Sequence, residues 1–270
     1  MCHPRLACIV VLAAVLACSW TESASAEVTV SNLRLGTDPM VAVARSIVPI
    51  GTRTVYARYD FREAVGNRVT LDVSAYGGVV VSSASERLSA SGNRTVAFTG
   101  DSMLRQLAAE LLATAQSTRG SARDAATREF GTQEYLGVVQ AGVVRLGNVR
   151  TIMTSVRTPA VSSSDMEALE VLEAQVSDLV SRALRAATDE QRRQLAGRMD
   201  EPLAEAVGMA SRLVRAVADV RDVGLPVSGE AWQYVVLLSV DGSPADSVEF
   251  MVDGSSLWLP TTSRHAPVIR

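Results

Sequence analysis

The chain has 270 residues, of which 47% are hydrophobic and 20% charged, so it can bury a real core in one large or two small domains. Its formal net charge is −3, it has no lysine so that all 26 Lys and Arg positions are arginine, and no charge run exceeds a few positions. The basic stripe expected of a nucleic-acid binder is therefore missing from the sequence.

Residues 1–26 read as a secretion signal. Arg5 supplies the positive start, Cys8–Cys18 the apolar stretch, and Ala24-Ser25-Ala26 a small-residue cleavage site before Glu27. The apolar run, about 11 residues, is too short for a stop-transfer helix. Val15-Leu16-Ala17-Cys18 also resembles a bacterial lipobox, which implies a lipidated Cys18 as first residue and a membrane contact through that anchor alone. Both readings stay open, and both predict an exported protein, at the cell surface, in the periplasm or outside the cell. Cys2, Cys8 and Cys18 all lie in this segment, so cleavage after Ala26 leaves no thiol and no disulfide.

The mature chain opens with strand patterns. Val28–Leu35 predicts a short strand bulged near Asn32, followed by an irregular stretch from Gly36 to Gly51 broken by Pro39 and Pro49. Thr54–Phe61 alternates, with Val55, Ala57, Tyr59 and Phe61 inward and Thr54, Tyr56, Arg58 and Asp60 outward. Arg68–Ser74 repeats the pattern, Tyr76-Gly77-Gly78 turns the chain, and Val79–Val81 predicts a short edge strand. Gly92-Asn93 then precedes a strand over Arg94–Thr99, with Val96 and Phe98 inward.

From Asp101 the apolar period lengthens to three and four, which predicts a helix through Leu112 capped by Asp101, then a loop around Gly120. Gln133–Val156 fits a helix or a strand, because three glycines and many valines lower its helix propensity. Ser164-Asp165-Met166-Glu167 reads as a capping box opening a helix to about Ala187, with a seam of Leu169, Leu172, Val176, Leu179 and Ala183. Thr188 restarts a helix, and Pro202 suits the first turn of another, which Gly224 and Pro226 stop. Trp232, Tyr234, Val236, Leu238 and Val240 alternate up to Asp241-Gly242 and Pro244, and Val248, Phe250 and Val252 alternate after it. That is a β-hairpin, and it must pack on the upstream strands because a lone hairpin is marginal in water.

Val240-Asp241-Gly242 and Phe250-Met251-Val252 resemble the closing strands of secreted bacterial immunoglobulin-like modules. The resemblance implies a scaffold, spacer or binding module with no catalytic residues. The expected architecture is thus α+β: an immunoglobulin-like antiparallel β-sandwich interrupted by an inserted helical bundle or hairpin. The sandwich takes residues 27–100 and 229–254, the insertion 101–228, and a tail 255–270.

One motif carries chemistry. Val96–Leu104, with Gly100-Asp101-Ser102 between a strand and a helix, resembles the first block of the GDSL/SGNH esterases. The resemblance implies Ser102 as nucleophile at a helix N-terminus, Gly147-Asn148 as an echo of the later donors, and His265 as base. Thr262-Ser263-Arg264-His265 lacks the aspartate of that family's last block, and the family needs alternating strands and helices around a parallel sheet. The competing reading makes Gly100 a bend and Asp101 a cap. With His265 as the one histidine after Ala26 and no cysteine there, a zinc site lacks its usual ligands, and no cofactor is expected. Trp232 and Tyr234 read as core residues, or as a tyrosine-corner equivalent, ahead of a ligand groove. The predicted role is a non-catalytic envelope scaffold or binding module for a protein or cell-surface polymer, with a serine esterase as the alternative.

Overall fold

The computed structural model describes residues 29–62, 66–89, 91–128, 131–228 and 233–253. They form a mixed α+β structure of two sheets and five α-helices. The strands are β1 (Thr29–Gly36), β2 (Ile47–Pro49), β3 (Thr54–Arg62), β4 (Arg68–Ser74), β5 (Val80–Arg87) and β6 (Gly92–Thr99), then, after the helices, β7 (Tyr234–Val240) and β8 (Ser243–Asp253). One sheet has the order β1-β3-β6 and the other β2-β8-β7-β4-β5.

Pairing is antiparallel except between β2 and β8, which run parallel. The inward sides of the two sheets share one core that includes Leu35, Val55, Tyr59, Leu71, Val73, Phe98, Tyr234, Val236 and Phe250. Alternation placed these residues: in β3, Val55, Ala57, Tyr59 and Phe61 are buried and their neighbours are not. The register of β1 slips between Ser31 and Arg34, and Asn32 there has φ 57°, a bulge where the sequence predicts one. The hairpin closes on Asp241 (φ 47°) and Gly242 (φ 84°), a two-residue loop in which both residues are left-handed. The Asp241 carboxylate accepts the Arg68 N–H at 2.8 Å and the Asn67 side chain at 2.6 Å, fixing that turn to the start of β4.

Two expectations about strands are corrected. The Gly36–Gly51 stretch contains β2, whose three residues are too short to show a period. The edge strand β5 has eight residues, not three, and every second one from Ser83 is exposed, so its apolar signal fades early.

Between β6 and β7 run α1 (Gly100–Thr127), α2 (Thr132–Thr154), α3 (Ser163–Arg185), α4 (Asp189–Gly197) and α5 (Asp200–Val217). No loop interrupts α1 at Gly120. Thr114, Thr118, Ala122 and Ala125 continue its buried face with small residues, which the eye for large apolar side chains misses. The ambiguous stretch is helix, and one of its glycines shows why: a Cβ at Gly142 would lie 2.1 Å from Thr118 Oγ1, so α1 and α2 approach where no side chain intervenes. The capping box expected at Ser164 does not form. Ser162 holds the N-cap position without a side-chain cap, and its hydroxyl meets that of Ser164. The α3 seam uses Val180, with Leu179 only partly buried. Thr188 caps α4 as expected, accepting the Gln191 N–H. The helices do not form a separate core: Met103, Leu104, Leu107, Val149, Met153, Leu169 and Leu213 belong to the same cluster as the sheet residues, and a second cluster fills the distal end.

Candidate functional site

The sequence nominates the β6–α1 junction, and its geometry is set by local capping. Thr99 is extended (φ −109°, ψ 148°) and occupies the N-cap of α1. Its Oγ1 accepts the Ser102 N–H at 3.1 Å, while Ser102 Oγ accepts the Thr99 N–H at 3.3 Å. This reciprocal box satisfies two N–H groups that a helix start would otherwise leave unpaired. Ser102 Oγ also donates to the Thr99 carbonyl at 2.8 Å. The proton that a general base would have to take is thus held by the main chain.

Asp101 does not cap the helix. Its Oδ1 accepts the Val223 N–H at 2.8 Å and its Oδ2 the Asp222 N–H at 3.3 Å, across the chain leaving α5. Gly100 is needed for the same closeness: a Cβ there would sit 2.2 Å from the Val223 carbonyl oxygen and 2.6 Å from that of Gly224. Both ends of the helical block also reach one turn before β3, where Gly100 N–H donates to the Arg53 carbonyl and Leu225 N–H to the Thr52 carbonyl. The Gly-Asp-Ser sequence is therefore a seam joining three chain segments. The strand before it, β6, pairs antiparallel with β3.

Among the described residues, the structure does not bring the nominated Gly147 and Asn148 to Ser102. Asn148 lies against Gly77, in the turn between β4 and β5, and Gly147 lies against Glu173. His265, Cys18 and Trp232 fall outside the described residues. Tyr234 is fully buried, stacks on Phe250 at 4.7 Å between centroids, and donates its hydroxyl to the Pro226 carbonyl at 2.6 Å. Burial raises its pKa far above the ordinary phenol value.

The other perturbed groups also hold elements together. Asp200, at the start of α5, is gripped by Arg119 and Arg123 of α1, each through Nε at 2.8 and 2.7 Å, and these bonds hold its carboxyl well below the usual range. Glu173 of α3 is raised by burial although Arg150 bonds it at 3.0 Å; it borders an apolar cleft with Leu146, Leu172 and Leu203. Tyr59 donates to Glu86 at 2.8 Å, joining the two sheets at the β5–β6 side, and burial raises its pKa.

Among the described residues no group of three or more His, Cys, Asp or Glu is arranged to hold a metal, and no helix is long and apolar enough to cross a membrane. Compared with family models, curated proteins and solved structures, the chain matches none.

One arrangement escaped the sequence reading. Arg34, Arg58 and Thr95 stand opposite one another across β1, β3 and β6 on the outward face of the smaller sheet. They come from segments far apart in the chain, and no local window shows them as a group.

Proposed function

We propose that this is an exported, non-catalytic envelope protein, an immunoglobulin-like sandwich carrying an inserted helical block, that serves as a scaffold or binding module for a protein or polymer partner. The observation that carries the reading is the seam at Gly100–Ser102, where each polar group of the supposed catalytic block has a structural partner. Supporting the immunoglobulin-like assignment are two sheets of three and five strands over one core, and a buried tyrosine bonded to a carbonyl eight residues upstream. The outward sheet faces would present the binding surface and the helices would brace one side.

The test has two arms. Expressed with its own leader in a bacterial host, the protein should fractionate with the envelope or medium, and its intact mass should begin at Glu27 or at an acylated Cys18. Retention in the cytoplasm with an uncleaved leader sinks the export reading. The purified chain from Glu27 should hydrolyse short acyl esters no faster than its Ser102→Ala variant. A rate that requires both Ser102 and His265 replaces the scaffold with the esterase.

A further inference from the structure

We propose that the outward face of the β1-β3-β6 sheet binds an anionic glycan polymer, bearing carboxylates or phosphates, through the cross-strand row Arg34–Arg58–Thr95. This rests on the binding-module reading above and names its partner by chemistry. The register sets Arg34 directly opposite Arg58, and Arg58 directly opposite Thr95. Facing residues in antiparallel strands project to the same side with their Cβ atoms about 5 Å apart, and like charges so placed repel. Among the described residues neither arginine has a carboxylate within ion-pair distance. The nearest acid along β3, Asp60, is engaged by the Asn32 side chain at 2.9 Å.

Arg58 is positioned rather than loose. One guanidinium nitrogen donates to the Met40 carbonyl at 3.1 Å, while its Nε is enclosed and has no partner. Arg34 is exposed beside it. The N–H groups of the two guanidiniums other than the enclosed Arg58 Nε are suited to a carboxylate or a phosphate. Tyr56 lies half-buried on the same face two residues from Arg58, and Arg62 adds a second positive charge on that face beyond Asp60. A ring next to paired arginines fits a sugar followed by its anionic group, and a strand of this length, about 30 Å, fits several such units. Because the whole chain carries −3, general attraction to polyanions is weak, so binding has to come from this row.

The chain from Glu27 is titrated at low ionic strength with labelled oligogalacturonate, with a phosphomannan, with neutral dextran and with single-stranded DNA. Binding to one or both anionic glycan-type polymers and not to dextran is expected, and the preferred one identifies the anionic group. Arg34→Ala and Arg58→Ala should each weaken it roughly tenfold and flatten its salt dependence, with an unchanged circular dichroism spectrum. Arg157→Ala, which removes an exposed arginine of the helical block, should change nothing. Affinity unchanged in both sheet variants, or tighter binding to DNA than to either polymer, overturns the proposal. Envelope association that persists while neither polymer binds also overturns it and leaves the binding-module reading standing.

Discussion

The Asp101 carboxylate receives the Val223 N–H at 2.8 Å, so the first turn of α1 is tied to the segment that leaves α5, 122 positions later. A helical block can be inserted into a sheet structure only if its entry and exit lie side by side, and this bond holds them so. Asp101→Ala leaves two main-chain donors without their acceptor and should cost about 1–2 kcal/mol. Asp101→Asn, which keeps an acceptor oxygen, should recover part of that. Urea unfolding of the three proteins measures the difference, and equal midpoints would show that water replaces the carboxylate without loss.

Gly100 is the companion constraint. An added methyl group meets two carbonyl oxygens of the main chain, which cannot turn aside as a flexible side chain would. Gly100→Ala should destabilise by roughly 2 kcal/mol or more despite the better helix propensity of alanine. Gly120→Ala, where a Cβ meets nothing within 4 Å, should stabilise by up to ~1 kcal/mol in the same assay. A matching response at the two positions would refute the crowding argument.

The difference between those two glycines also marks what the sequence could show. Period-two alternation located β1, β3, β4, β6, β7 and β8, because in a half-buried strand every second residue reports its face, while β2 and most of β5 lacked it, and Asp241-Gly242 is a strong hairpin-turn signal. Helix interiors were harder. At Gly120 the chain carries small polar residues that read as a loop, yet Thr118 and Ala122 are buried and keep α1 continuous for 28 residues. Packing against α2 and α5 overrides local propensity there. Capping was legible at Thr188 but misassigned at Asp101, since an aspartate near a helix start fits a cap as readily as a tertiary bond. The arginine row was not legible at all, because it is a product of strand register.

Asp200 supplies a dependence on pH. Its carboxyl lies below the ordinary range in the folded state, so the folded form prefers it ionised. Its contribution is then complete above the unfolded value of about 3.9 and is lost as the pH falls below that toward the folded value. Asp200→Asn should lower the melting temperature by a similar margin from pH 7 down to about 5, and the gap should narrow below about pH 4. The carboxylate is partly exposed, so high salt should also reduce the gap. A gap that widens on acidification would contradict this assignment.

The last prediction separates the two parts of the architecture. Replacing residues 101–222 by a short flexible linker joins segments already in contact at Gly100 and Val223, so no strand has to move. Yet Met103, Leu104, Leu107, Val149 and Met153 share the sheet core, and their removal bares the apolar surface they cover. The shortened chain should keep its β-sheet signal while melting lower and self-associating. Ending the chain at Ser228 has a different effect. It removes β7 and β8 from the middle of the order β2-β8-β7-β4-β5, which detaches β2 and leaves Leu71 and Val73 without Leu238 and Val236 alongside. It also uncovers the core faces of Val55, Tyr59 and Phe98, and at ~25 cal/mol per Å² such exposure amounts to several kcal/mol, a large fraction of the stability of any domain. That truncation should aggregate or remain unfolded. Circular dichroism and size-exclusion chromatography of both proteins decide the matter: a cooperative, monomeric melt of the chain ending at Ser228 would show that the helices, and not the C-terminal hairpin, complete the core.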